Sequence, residues 1–404
     1  MSGPLAGIKV LDLSRVLAGP WASQLLADLG AEVIKIERPG QGDDTRSWGP
    51  PFALTPDGKL STEAAYFLAA NRGKKSVAVN MAMPEGQELI RKLADTADIV
   101  IENFKRGDLA RYGLDYATLS ARNNKLVYCS ITGFGQNGPN ADRAGYDFII
   151  QGMAGLMSVT GAADTGPKKV GVAVSDITTG LYALVGILAA LHHARATGKG
   201  QQIDMALFDV QLGWLANQNM NYLAGGKIPG LLGNAHPNIV PYQDFPTADR
   251  RLIVAVGNDV QFSKFCAALG QPDWARDARF SKNASRVANR DILTGQIAAI
   301  MQTMPSDHWQ SVLDLAGVPC GPIQTIPEAW ESDQAKARGL KVQQLHPTIG
   351  MVTTAAAPIR FSETPVVYDR SPPVLGADTR AVLEQAGFSG TEIETLHRCG
   401  VISF

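Results

Sequence analysis

The chain has 404 residues, 45% of them apolar and 19% charged, with 37 Lys and Arg against 38 Asp and Glu. This is the composition of a soluble globular protein with ample core for one large or two moderate domains. A net charge of −1 without basic runs excludes the clustered positive face that nucleic acid requires. Four scattered Cys (129, 266, 320, 399) with no CxxC pair read as reduced thiols, not as a disulfide framework or a zinc site.

MSGPLAG leads straight into IKVLDL (8–13), without the charged and apolar regions of a secretory leader, so a cytoplasmic protein is expected. IKVLDL predicts a buried strand. After SRVLAG, Pro20 suits the first turn of a helix, WASQLLADL, which Gly30 ends. AEVIKIE (31–37) and KKSVAVNM predict the next strands. Pro84 then opens a helix, PEGQELIRKLADTA, before the buried strand DIVIENF, the short helical GDLARYG and the strand KLVYCSITGFG. The order predicts βαβ units in an α/β fold with a parallel, doubly wound sheet. Ligands of such sheets bind at the carboxyl ends of the strands, here 14–18, 38–44, 103–107 and 133–138. The first turn, SRVLAGP, lacks GxGxxG, which removes the main support for a nicotinamide dehydrogenase.

A long helix is expected over about 177–196. Its apolar stretch LYALVGILAAL (181–191) is too short for a bilayer span and suits a buried core, so no membrane partner is expected. Strand QQIDMAL follows. From about 225 to 325, short strands such as RLIVAVG mix with helices such as QFSKFCAAL and RDILTGQIAAIM, predicting a smaller second domain. The expected layout is 1–224, 225–325 and a C-terminal return, 326–404, which carries MVTTAAAPIRF, an extended surface segment PPVLG, and a final helix pair.

Asp176, in VGVAVSDITTGLYALVGIL, falls at the start of the long helix. It suits an N-cap, and a helix N-terminus would keep it ionised, as nucleophilic attack on a thioester requires. The six His show no metal spacing and no GxSxG occurs, so neither a metal site nor a Ser nucleophile is predicted. Arg15, Arg38, Arg46, Arg72, Arg106, Arg111 and Arg143 recur near predicted strand ends, where Arg forks would meet phosphates or carboxylates.

LDLSRVLAGPWASQLLADLGAEVIKIERPGQGDDTR, NRGKKSVAVN, IENF, SITGFGQNGP, SDITTGLYALVGILAAL, GVPCGPI and PPVLGADT, taken together, resemble the class III CoA-transferases (CaiB/BaiF). AGYDFIIQGMAGLMSVTG and NAHPNIVPYQDF resemble the branch that includes succinate–hydroxymethylglutarate CoA-transferase. The resemblance implies a Rossmann-like large domain with a smaller α+β domain inserted, and two ring-like subunits interlocked as a homodimer. It implies acyl-CoA and a carboxylic acid, here dicarboxylic, as substrates, with no permanently bound cofactor. Asp176 matches the family nucleophile, which carries CoA as an aspartyl thioester. The CoA contacts carried over are Leu17, Ala18, Arg38, Val79 to Ala82, Asn103, Phe104, Lys105, Arg111, Ala144, Gly145, Tyr146 and Asp147. A charged partner for a distal carboxylate is expected from Arg46, Arg72 or Arg143.

Two departures from the formyl-CoA transferases stand out. Their shielding run of glycines is missing, with AGGKIPGLLGNAHPN (224–238) the candidate replacement, and their basic residue near pantetheine is Ala144 here. The related racemases carry GHD, with His as acid/base, where this chain has Gly145-Tyr146-Asp147. A phenol, titrating near ~10, is a poor base at neutral pH, which disfavours that reaction. A non-catalytic CoA-binding protein is the remaining alternative.

Overall fold

The structure, a computed structural model, describes residues 3–366 and 368–404. Two compact units form: one from 1–154, 171–215 and 336–404, the other from 155–170 and 216–335.

The first unit is built on a seven-stranded sheet. Its spatial order is Gln201–Ala206, Val127–Thr132, Ile99–Glu102, Lys9–Asp12, Glu32–Glu37, Lys74–Val79, Ile402–Ser403. Every pairing is parallel except the last, where the C-terminal strand runs antiparallel along the edge. The β-branched strands are buried on both faces, as a parallel sheet under helices demands. The chain winds outward from Lys9–Asp12 in one direction and then crosses to begin again on its other side with Ile99–Glu102. The strand order therefore reverses between these two strands, and the loops leaving them diverge to open a crevice.

The helix after the first strand spans Ala18–Asp28, so it starts two residues before Pro20 and three before Trp21. The long helix spans Val174–Thr197 and is terminated by Gly198 in the left-handed conformation. At 24 residues it is longer than expected and, by length and composition alone, could cross a bilayer. Its Ala183, Leu184, Ile187 and Leu191 instead pack in the core with Ala22, Leu25 and Leu26. Gly180 permits the close approach of these helices, since a Cβ there would lie 2.7 Å from the Ala18 carbonyl oxygen.

PPVLG is not the exposed segment expected. Pro372, Pro373 and Gly376 are buried against the sheet edge. The Gly376 N–H donates to Ser76 Oγ, the Ser76 N–H to Asp378 and the Ala78 N–H to Thr379 Oγ1, so the return segment satisfies donors of the Lys74–Val79 strand.

In the second unit a three-stranded antiparallel sheet, Tyr242–Pro246, Arg251–Ala255 and Cys320–Pro322, packs with helices Asp259–Ala268, Arg290–Met301 and Ser306–Ala316 around Phe245, Phe262, Phe265, Ile297 and Leu313. Residues 155–170 join this unit through a two-stranded hairpin, where the Gly161 carbonyl accepts the Gly233 N–H.

Candidate active site

Beneath the crevice lies a buried charge network that sequence patterning did not reveal. Lys35 and Lys74 project from sheet strands and are fully buried. Lys35 Nζ pairs with Asp43 at 2.9 Å and donates to the Ser14 carbonyl at 2.7 Å. Lys74 Nζ pairs with Asp12 at 3.2 Å and bonds Asn71 and the Pro20 carbonyl. Burial opposes ionisation of Asp43, but the Lys35 charge and hydrogen bonds from Lys35 and Thr45 prevail and hold its carboxyl at about 2. Such pairs are costly to form, and removing one partner costs about 3–5 kcal/mol.

The network fixes the turn after the first strand. Asp43 Oδ1 accepts the Val16 N–H at 3.2 Å. Val16 has φ 71°, a left-handed conformation that is unfavourable for a β-branched residue. Arg15 is clamped from the other side of the crevice: its N–H donates to Asn103 Oδ1, and Asn103 Nδ2 donates to its carbonyl. Leu17 and Ala18, which begin the following helix without a side-chain cap, line the resulting cleft.

This cleft, of about 310 Å³, brings together Leu17, Ala18, Asn103, Phe104, Lys105, Ala144, Gly145, Tyr146 and Asp176. A second, of about 480 Å³, holds Arg38, Val79, Ala82, Phe104 and Arg111. Of the residues expected to bind CoA, Asp147 lines neither cleft; it acts from behind, where its carboxylate accepts the Ser175 N–H at 2.8 Å and the Gln151 side-chain amide at 2.7 Å. Gly133 and Gly145 touch backbone to backbone, so that a Cβ on either would lie 2.5 Å from the other Cα; this seats the Ala144–Asp147 segment on the sheet end.

Asp176 is the third residue of the long helix, not its N-cap, a position taken by Ala173. Its carboxyl is half-buried at the cleft wall, and no described residue hydrogen-bonds to it. The expectation of a permanently ionised group does not hold. Burial first and the negative charge of Asp147 second push it up to about 7. The helix N-terminus favours the anion but does not offset them, so both forms are populated near neutrality in the free protein. An unbonded carboxylate close to its titration point is a competent oxygen nucleophile.

Tyr66, in the short helix Ala65–Ala69, was not anticipated. Burial, then the charges of Asp176 and Asp147, hold its phenol above the usual range, so it stays protonated. Trp48 packs edge-on against it at 5.2 Å. No motif marks either residue.

The arginines divide. Arg15, Arg38, Arg106, Arg111 and Arg143 line the clefts. Arg46 and Arg72, expected as partners for a substrate carboxylate, are spent in buried pairs with Glu37 and Asp28. Arg143 hydrogen-bonds Asn140 and lies over Phe134, with no carboxylate partner among the described residues.

A family model described as CoA-transferase family III matches residues 5–379. The chain is 51% identical to a succinate–glutarate CoA-transferase of Agrobacterium fabrum over 395 residues, covering 98% of this chain and 97% of the relative. It is 42% identical to the succinyl-CoA:glutarate CoA-transferase of Mus musculus, with 99% and 90% covered. The crystal structure of a CaiB/BaiF family protein from Brucella suis superposes with a TM-score of 0.84 at 49% identity, covering 96% of this chain and all of that one. The sequence strings, the switch-point cleft and these likenesses lead to one assignment: the chain belongs to CoA-transferase family III.

Proposed function

We propose that this CoA-transferase moves CoA from succinyl-CoA to glutarate or a similar dicarboxylate through a covalent adduct on Asp176. The observation that carries the reading is the Asp176 carboxyl, unbonded at the wall of the cleft that opens at the strand-order reversal. One Asp176 oxygen attacks the donor thioester carbonyl, and collapse of the tetrahedral oxyanion expels CoA thiolate and leaves a mixed anhydride. The thiolate attacks the Asp176 carbonyl, releasing the donor acid and forming aspartyl-CoA. The acceptor carboxylate repeats the first exchange in reverse order: it expels thiolate to form a new anhydride, which thiolate opens to give product and free Asp176. No proton is consumed, and acyl bonds are exchanged without hydrolysis. Backbone N–H groups at the Leu17–Ala18 helix start, which line the same cleft, would stabilise the oxyanion.

CoA would lie with its thiol end toward Asp176 and its nucleotide toward Arg38, Val79, Ala82 and Arg111. Lys105 and Arg143, both without carboxylate partners among the described residues, are the cations available in the Asp176 cleft for a distal carboxylate. The first unit would form the CoA-binding domain. Exposed Leu181, Tyr182 and Val185 on the long helix, with Phe148 and Ile149 on the contacting helix Asp147–Met153, support self-association as a homodimer.

An acceptor screen with succinyl-CoA, followed by mass spectrometry of the quenched enzyme, tests the reading. Glutarate is expected to outpace a monocarboxylate of equal length, with a CoA adduct on Asp176. An Asp176→Ala variant that still transfers CoA would refute the covalent route.

A further inference from the structure

The two clefts meet at a neck. Four residues line both of them: Arg15, Asp44, Phe104 and Asp108. In a CoA thioester the nucleotide and the thiol stand at opposite ends, with the pyrophosphate between. If the nucleotide occupies the Arg38 cleft and the thioester reaches Asp176, as proposed above, the pyrophosphate end of the linker crosses this neck.

At rest the neck is poorly suited to a dianion. Asp44 and Asp108 present carboxylates, and Arg15 is the one cation of the four. Its guanidinium is spent on Asp44 at 3.0 Å and lies 5.2 Å from the centre of the Phe104 ring. On the nucleotide side, Arg111 is likewise paired with Asp108 at 3.0 Å. The Arg15 backbone is immobilised by Asn103, but its side chain is 46% exposed, and its partner is 51% exposed. An ion pair this open contributes little, whereas an Arg fork binds phosphate oxygens in a bidentate, charge-assisted fashion.

We infer that Arg15 is a pyrophosphate-binding residue held in reserve by Asp44, and that CoA takes the guanidinium from Asp44 as it enters the neck. Without CoA, the Arg15–Asp44 pair bars the passage and masks the cation. With CoA bound, Arg15 turns to the phosphates and Asp44 is left to water.

Isothermal titration of the full-length protein with CoA at low salt, using wild type, Asp44→Asn, Arg15→Gln and the double variant, tests this. Both sites are on the surface, and Gln at 15 retains the backbone clamp. Asp44→Asn is expected to tighten CoA binding ~3–10-fold by freeing Arg15, and Arg15→Gln to weaken it ~10-fold or more. In the Arg15→Gln background the gain from Asp44→Asn should shrink to under ~2-fold, since only bare charge repulsion is then relieved. Unchanged or weaker binding by Asp44→Asn, or undiminished binding by Arg15→Gln, overturns the inference. Equal tightening by Asp44→Asn in both backgrounds also overturns it. Failure of the wild type to bind CoA at all would instead remove the functional reading on which the inference rests.

Discussion

The carboxylate of Asp147 accepts the backbone N–H of Ser175, one residue before Asp176, at 2.8 Å. It thereby satisfies one of the free donors at the start of the long helix, which has no side-chain cap of its own. The same contact sets a second negative charge near Asp176. Asp147 thus supports the helix start and at the same time makes Asp176 harder to ionise.

Asp147→Asn separates these effects, because Asn Oδ1 can still accept the Ser175 N–H while the charge is lost. In the wild type, kcat/KM for the acyl-CoA donor should rise with pH through about 7 as Asp176 ionises. In Asp147→Asn the inflection should fall by about 0.5–1 unit, and not all the way to 3.8, because burial is the larger cause. A pH–rate profile with an unmoved inflection would count against this electrostatic coupling.

Asp176→Asn should stabilise the free protein while removing its activity. The folded carboxyl titrates well above its unfolded value of 3.8, so wild-type stability declines as pH rises from about 4 to about 7. The amide escapes that decline. Urea denaturation should show Asp176→Asn more stable by about 1–3 kcal/mol at pH 8, with a smaller margin at pH 5. A margin that grew at pH 5 would contradict the sign of the shift.

Gly180→Ala should damage the site from outside it. The new Cβ would meet the Ala18 carbonyl at 2.7 Å and Trp21 Cβ at 3.2 Å, forcing apart the two helices that carry Ala18 and Asp176. We expect a loss of about 1–3 kcal/mol and a fall in kcat greater than the change in KM. Gly186→Ala, six residues along the same helix, is the control: its nearest neighbour would be Ile203 Cγ2 at 3.5 Å, an ordinary contact. There the gain in helix propensity should leave stability unchanged or up to about 1 kcal/mol higher. Thermal melts and steady-state kinetics on both variants decide the point.

Much of the sheet was legible because it is a matter of local pattern. KVLD, EVIKIE and IVIE are short, apolar and bounded by turns, and each became a parallel strand within a residue or two of its expected place. The long helix was legible for the same reason, although its start was set three residues late, since Val174 and Ser175 give no local sign of a helix. PPVLG misled because Pro-rich composition is silent about burial; hydrogen bonds with Ser76, some 300 residues earlier in the chain, hold it against the sheet edge.

The sequence alone determined the strand and helix succession, the absence of a dinucleotide fingerprint and, through its ordered strings, the family and the candidacy of Asp176. Those are properties of neighbouring residues and of long matched runs. Tertiary structure alone decided that Lys35 and Lys74 lie buried beneath the crevice, that Arg46 and Arg72 are already paired, that Tyr66 feels the charges of Asp176 and Asp147, and that the Asp176 carboxyl is pushed up to about 7. Each of these depends on which distant charges share a low-dielectric space, and electrostatic energy follows separation and burial, not position along the chain.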